Sequence, residues 1–149
     1  MQTWIVVVFL LLIVLCIFLV LRKEPEPETN YEYITIKDMV SLGRNIVGEL
    51  PIVMPNYKIR ESTAKTQTLF TKGDIPTIEI IMRKPSGELY DKDTLVIVYL
   101  HEMAHIICQE PKHGPKFLEW EDMLIKKAQE LGHLQPDSRV DNTYPQKVD

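Results

Sequence analysis

The sequence predicts a small α+β domain, mainly antiparallel in its sheet, preceded by one N-terminal transmembrane helix. Three observations carry that expectation. Trp4 to Leu21 are apolar without interruption, residues on either side of the chain centre repeat at helical spacing, and the stretch between them breaks into short β-rich runs bounded by glycine and proline turns. Outside the leader, a chain of 149 residues has room for one compact domain of ordinary size.

The leader is about the length a helix needs to cross a bilayer, and Arg22 and Lys23 follow it directly. It lacks the preceding positive charge and the small-residue cleavage site of a signal peptide, so it reads as a span. With the basic residues on its C-terminal side, the expectation is a single-pass membrane protein that meets the lipid bilayer through residues 4–21 and holds its domain in the cytoplasm. Residues 1–23 are then the anchor. Residues 24–33, with Glu24-Pro25-Glu26-Pro27-Glu28, form a stiff acidic spacer because alternating proline extends the chain and the glutamates repel. Residues 34–134 make the domain and 135–149 a polar tail.

Cys16 lies in the leader, so Cys108 is left without an internal disulfide partner, and no Asn-x-Ser/Thr sequon occurs. Both absences fit a reducing compartment. The net charge of −4 resides entirely outside the apolar leader. Nucleic acid is not an expected partner on that balance, and Lys58, Arg60, Lys65, Lys72, Arg83 and Lys84 read as a solvated face.

Thr35 followed by Asp38 resembles a capped start for a helix from Ile36 to Glu49, with Ile36, Val40, Val47 and Leu50 on one face and Pro51 ending it. Tyr57–Arg60, Thr66–Thr71 and Thr77–Arg83 read as strands, separated by turns at 72–74 and 85–87. Thr77–Arg83 is the candidate sheet edge on which a substrate strand would pair. Asp93 is the expected cap of a second long helix with a body from Leu95 to Cys108, apolar on nearly every side and therefore buried. Pro111 ends it, and Pro115 suits the first turn of a last helix with Phe117, Trp120, Leu124, Ala128 and Leu131 in one stripe before Gly132. Glu121 falls inside that stripe.

The buried helix carries His101-Glu102-Met103-Ala104-His105. Residues four apart share a helix face, so both imidazoles can reach one tetrahedral zinc ion while Glu102 stands beside the open position as a general base. The chain has four histidines; two are in this motif, and a third, His113, follows within reach. Two imidazoles and a carboxylate buried without partners would cost several kcal/mol, an objection that a bound cation removes. His113 is favoured as third ligand, with Glu121 either orienting a histidine or serving as the alternative ligand. Cys108, one turn beyond His105, reads as core packing. No stabiliser for a reaction oxyanion is identifiable; His133, Arg139 and Tyr144 in the polar tail could reach the site, but tail residues are more often uninvolved.

His101–His105 followed by His113-Gly114-Pro115-Lys116-Phe117 resembles the SprT-like and WLM metallopeptidases, over about Leu95 to Leu131. The resemblance implies an α+β domain with one zinc ion held by His101, His105 and His113, and peptide-bond hydrolysis with Glu102 as general base. Members that act on DNA-crosslinked proteins usually bring nucleic-acid-binding or zinc-ribbon extensions, for which this chain has no cysteines, so the substrate class implied is a membrane-proximal protein or peptide. The competing reading is a membrane-tethered structural or interaction protein that uses zinc only for folding. Glu102 argues against it, because a structural site has no use for a base beside the metal.

Overall fold

The computed structural model describes residues 34–145. Among them are three helices, α1 (Ile36–Gly48), α2 (Lys92–Cys108) and α3 (Pro115–Glu130), and three strands, β1 (Lys58–Glu61), β2 (Gln67–Leu69) and β3 (Thr77–Ile80). The architecture is a small α+β fold in which α2 packs against β2, β3 and both other helices, while α1 also touches β1.

α1 begins with a capping box: the Asp38 amide donates to Thr35 Oγ1 at 3.2 Å and the Thr35 amide to Asp38 Oδ2 at 2.9 Å. Its buried face is Met39, Leu42, Gly43, Ile46 and Val47 rather than the stripe through Val40. Two stripes overlap at helical spacing here, and contact with α2 selects the one containing Gly43, where an added Cβ would collide with the Tyr99 hydroxyl and crowd the Met103 sulfur.

The sheet order is β1-β3-β2. β1 runs parallel to β3, pairing Lys58 with Thr77 and Glu61 with Ile80, and β2 runs antiparallel, pairing Gln67 with Glu79 and Leu69 with Thr77. The sheet is therefore mixed, not mainly antiparallel, and the expected edge strand at Thr77–Arg83 is the central one. Burial explains the order. Ile78 and Ile80 have no exposed surface, whereas β1 presents Lys58, Arg60 and Glu61, which suit an edge.

α2 starts two residues earlier than expected, with Asp91 rather than Asp93 as its cap. Asp91 Oδ1 accepts from the Thr94 amide at 2.8 Å and Oδ2 from the Thr94 hydroxyl at 2.7 Å. Leu95, Tyr99, Leu100 and Met103 are fully buried. Each such side chain contributes about 1.5–3 kcal/mol of burial, so α2 is the centre of the core. α3 opens with Gly114 and Pro115, buries Phe117, Leu124 and Ala128, and closes at Gly132, which takes φ 75° while the amides of His133 and Leu134 return to the Ala128 carbonyl. Leu131, expected in the apolar stripe, is 36% exposed.

The expectation of a transmembrane helix, and with it a single-pass membrane location, is corrected: among the described residues no helix is long and apolar enough to cross a membrane. α2, the most apolar, has 17 residues and carries Lys92, Asp93, His101, Glu102 and His105, short of the roughly 20 apolar residues a span needs. The segment 4–21 and the spacer 24–33 lie outside the described residues.

Candidate metal centre

His101 and His105 are one turn apart on α2, and the loop after the helix brings the third histidine to them. Gln109 ends α2 in the left-handed region, φ 56° and ψ 31°, unusual for a residue with a side chain. The reversal puts the Glu110 carbonyl 2.8 Å from His105 Nδ1 and returns His113 so that its Nε2 is 3.2 Å from His105 Nε2. Ligand atoms of His101, His105 and His113 all lie within 4.8 Å of one another, close enough to bind one metal ion.

The surroundings orient these rings. His101 Nδ1 is 2.6 Å from Glu121 Oε1 on α3. With Nδ1 of His101 donating to this carboxylate and Nδ1 of His105 to a carbonyl, the Nε2 lone pair of each points to the shared space. Phe117, buried at the start of α3, underlies all three imidazoles, with ring centroids 4.9 Å from His101, 4.3 Å from His105 and 4.6 Å from His113. A wall of this kind excludes water from one side. Two imidazole Nε2 atoms facing each other at 3.2 Å are well served by a cation between them, so the donor set fits a metal ion on its own geometry.

Glu102 is 5% exposed. The Thr68 hydroxyl, from β2, donates to Glu102 Oε2 at 2.6 Å, and Thr68 Oγ1 also lies 3.2 Å from the Glu102 backbone carbonyl. A cavity of about 240 Å³ is lined by Glu102, His101, His113 and Glu121 together with Thr66 and Tyr144. The metal-binding and acid-base candidates read from the sequence are thus brought together.

The tail candidates separate. His133 Nε2 lies 3.1 Å from Asn45 Nδ2 on α1, and Arg139 is exposed and does not line the cavity, whereas Tyr144 does. Cys108 is buried with its thiol toward the His105 and Glu110 carbonyls, at 3.6 and 3.8 Å, as core packing requires. Several of the basic residues of the first half have acidic partners: Arg60 with Glu79, Arg83 with Glu61 at 3.4 Å, and Lys84 with Asp141 at 2.9 Å. Thr66 and Thr68 were not singled out from the sequence. Their only signal is the spacing of two, which places both hydroxyls on one face of an extended chain.

No family model matches the chain. It is similar to uncharacterized protein 042R of Invertebrate iridescent virus 3, 37% identical over 51 residues that make up 34% of this chain and 32% of the relative. It is also similar to uncharacterized protein 136R of Invertebrate iridescent virus 6, 31% identical over 110 residues, 72% of this chain and 55% of the relative. The chain therefore spans about a third and about half of the lengths of these two curated relatives. No solved structure matches it.

Proposed function

We propose that the domain is a zinc-dependent metallopeptidase of the SprT-like and WLM kind, hydrolysing peptide bonds in flexible protein segments. The observation that carries this reading is the position of Glu102: a buried carboxylate, aimed by Thr68, that lines the same cavity as His101 and His113. A site that served folding alone would need the three histidines but not this base.

His101, His105 and His113 would hold the ion; three imidazole donors suit zinc and leave a coordination position for solvent. Bound there, zinc supplies Lewis acidity and a water of lowered pKa. Glu102 takes a proton from the attacking water as its oxygen bonds to the carbonyl carbon, and then delivers that proton to the leaving nitrogen as the C–N bond breaks. Glu121 holds His101 in the ring orientation that keeps Nε2 available. Thr68 ties the carboxylate to β2, which among the described residues pairs only with β3, so its outer edge is the surface for an extended substrate segment.

The test is the full-length chain and its Glu102→Gln variant, assayed on casein with metal content measured in both. Glutamine keeps the size and much of the hydrogen bonding but removes the base. The expected result is one zinc per chain in each protein, with turnover lower by about two to four orders of magnitude in the variant. Equal rates, or zinc-loaded protein with no hydrolysis of any unfolded substrate, would replace the peptidase reading with a metal site for folding.

A further inference from the structure

Residues from beyond the last helix, Val140, Tyr144 and Pro145, help line the cavity beside Glu102, and Tyr144 has the chemistry the hydrolytic step needs. After α3 the chain returns over the N-terminal half of α2. The Asp141 amide donates to the Thr94 hydroxyl at 2.7 Å, Asp141 Oδ2 pairs with Lys84 at 2.9 Å, and the Tyr90 hydroxyl donates to the Thr143 carbonyl at 3.2 Å. These contacts hold Tyr144, 5% exposed, with its ring centroid 4.7 Å from that of Tyr90 and its hydroxyl on Thr66 Oγ1.

We propose that Tyr144 is the oxyanion stabiliser of the site, donating a hydrogen bond to the scissile carbonyl oxygen as that oxygen gains negative charge. This rests on the peptidase reading. Thr66 Oγ1 accepts the Ile81 amide at 3.0 Å and shares a hydrogen bond with the Tyr144 hydroxyl that either can donate, so when Thr66 gives its proton to the Tyr144 oxygen the phenol hydrogen is available to a group in the cavity. Burial pushes the Tyr144 phenol up to about 12, with the nearby Glu102 carboxylate adding to the shift and the hydrogen bonds from Thr66 and Ile81 opposing it, so it keeps its proton at neutral pH. His133 and Arg139, the other two tail candidates, do not line the cavity. No proton leaves Tyr144 in the step: the water proton goes to Glu102 and on to the leaving nitrogen, while the phenol O–H stabilises charge on the carbonyl oxygen until the C–N bond breaks.

The test compares the full-length chain with Tyr144→Phe, which keeps the ring against Tyr90. On casein, kcat should fall roughly 100- to 1,000-fold with KM nearly unchanged, the loss typical of one oxyanion donor. Zinc content should not change, and Tm should drop only by the amount that loss of one hydrogen bond produces. Calorimetry gives a second readout: a phosphinic analogue of a cleaved casein peptide, which carries the tetrahedral oxygens, should bind more weakly by a similar factor, while the product peptide binds equally to both proteins. An unchanged kcat, or an equal loss for analogue and product, would overturn the assignment and leave the peptidase reading standing. If Tyr144→Phe loses zinc or fold, the pair Thr66→Val and Thr66→Ser decides: reduced kcat restored by serine supports it, and equal kcat in both sinks it. Failure of the wild-type chain to hydrolyse anything while zinc is bound would instead remove the peptidase reading and this assignment together.

Discussion

Thr68 on β2 donates its hydroxyl proton to the Glu102 carboxylate on α2 across 2.6 Å, joining the sheet edge directly to the carboxylate of the histidine motif. The carboxylate is buried, so its position depends on this contact. Substituting Thr68 by valine preserves shape and removes the donor. Stability should fall by about 1–3 kcal/mol, the cost of withdrawing a partner from a buried polar group, and turnover should fall with it while zinc content is kept. Denaturant unfolding with metal analysis checks this; full activity in Thr68→Val would show that the contact does not position the base.

Metal affinity should depend unequally on the residues around the histidines. His113→Ala removes one of three donors and should abolish stoichiometric zinc binding, whereas Glu121→Gln, which weakens only the partner of His101 Nδ1, should weaken binding about 10- to 100-fold. Competition with a chromophoric chelator measures both. Retained zinc in His113→Ala with loss in Glu121→Ala would reassign the third ligand.

Chelation should also lower stability, since a metal ion held by the three histidines would favour the folded arrangement over the unfolded chain. At free zinc about a thousandfold above the dissociation constant the difference is about 4 kcal/mol, visible as a lower Tm after chelation. The same treatment of a His101→Ala/His105→Ala chain should leave its Tm where it is.

Gly43 sits mid-helix in α1, where alanine would ordinarily stabilise by about 1 kcal/mol. Here a Cβ would run into the Tyr99 hydroxyl and the Met103 sulfur. The Tyr99 hydroxyl is held by that of Tyr57 at 2.5 Å and cannot easily retreat. Gly43→Ala should therefore destabilise, by about 1–3 kcal/mol, as overpacking does. A rise in Tm would show that α1 is free to shift away from α2.

Asp141 carries a pH dependence of definite sign. Hydrogen bonds from the Thr143 hydroxyl and amide, and then from Lys84, hold its carboxyl down at about 2. A carboxylate depressed in the folded state adds stability above its unfolded value, near 3.9, and that contribution is lost as pH falls from about 4 toward 2. Asp141→Asn should unfold with a flatter dependence on pH across that window. Because Asp141 anchors the segment bearing Tyr144, kcat should also fall at neutral pH if the oxyanion assignment holds. Identical acid limbs in the two proteins would show that the anchor contributes nothing there.

The parts determined by sequence alone are those set by local spacing. Thr35 and Asp38 fix the start of α1 through a contact three residues apart, Pro115 and Gly132 bound α3, and the four-residue step from His101 to His105 places two imidazoles on one helix face wherever that helix lies. The small α+β character and the burial of α2 are legible for the same reason, since an almost continuously apolar helix interrupted only by its motif must be covered. Long-range choices were settled only in the tertiary structure. Strand order turned on which strand had apolar side chains to bury, so Ile78 and Ile80 put β3 at the centre and left β2 at an edge. The α1 face was decided by the space left under Tyr99. Thr68 and Tyr144 lie 34 and 42 residues from Glu102 in the chain and share no periodicity with it. Their approach depends on sheet register and on the return of the chain after α3, neither of which leaves a trace in local spacing.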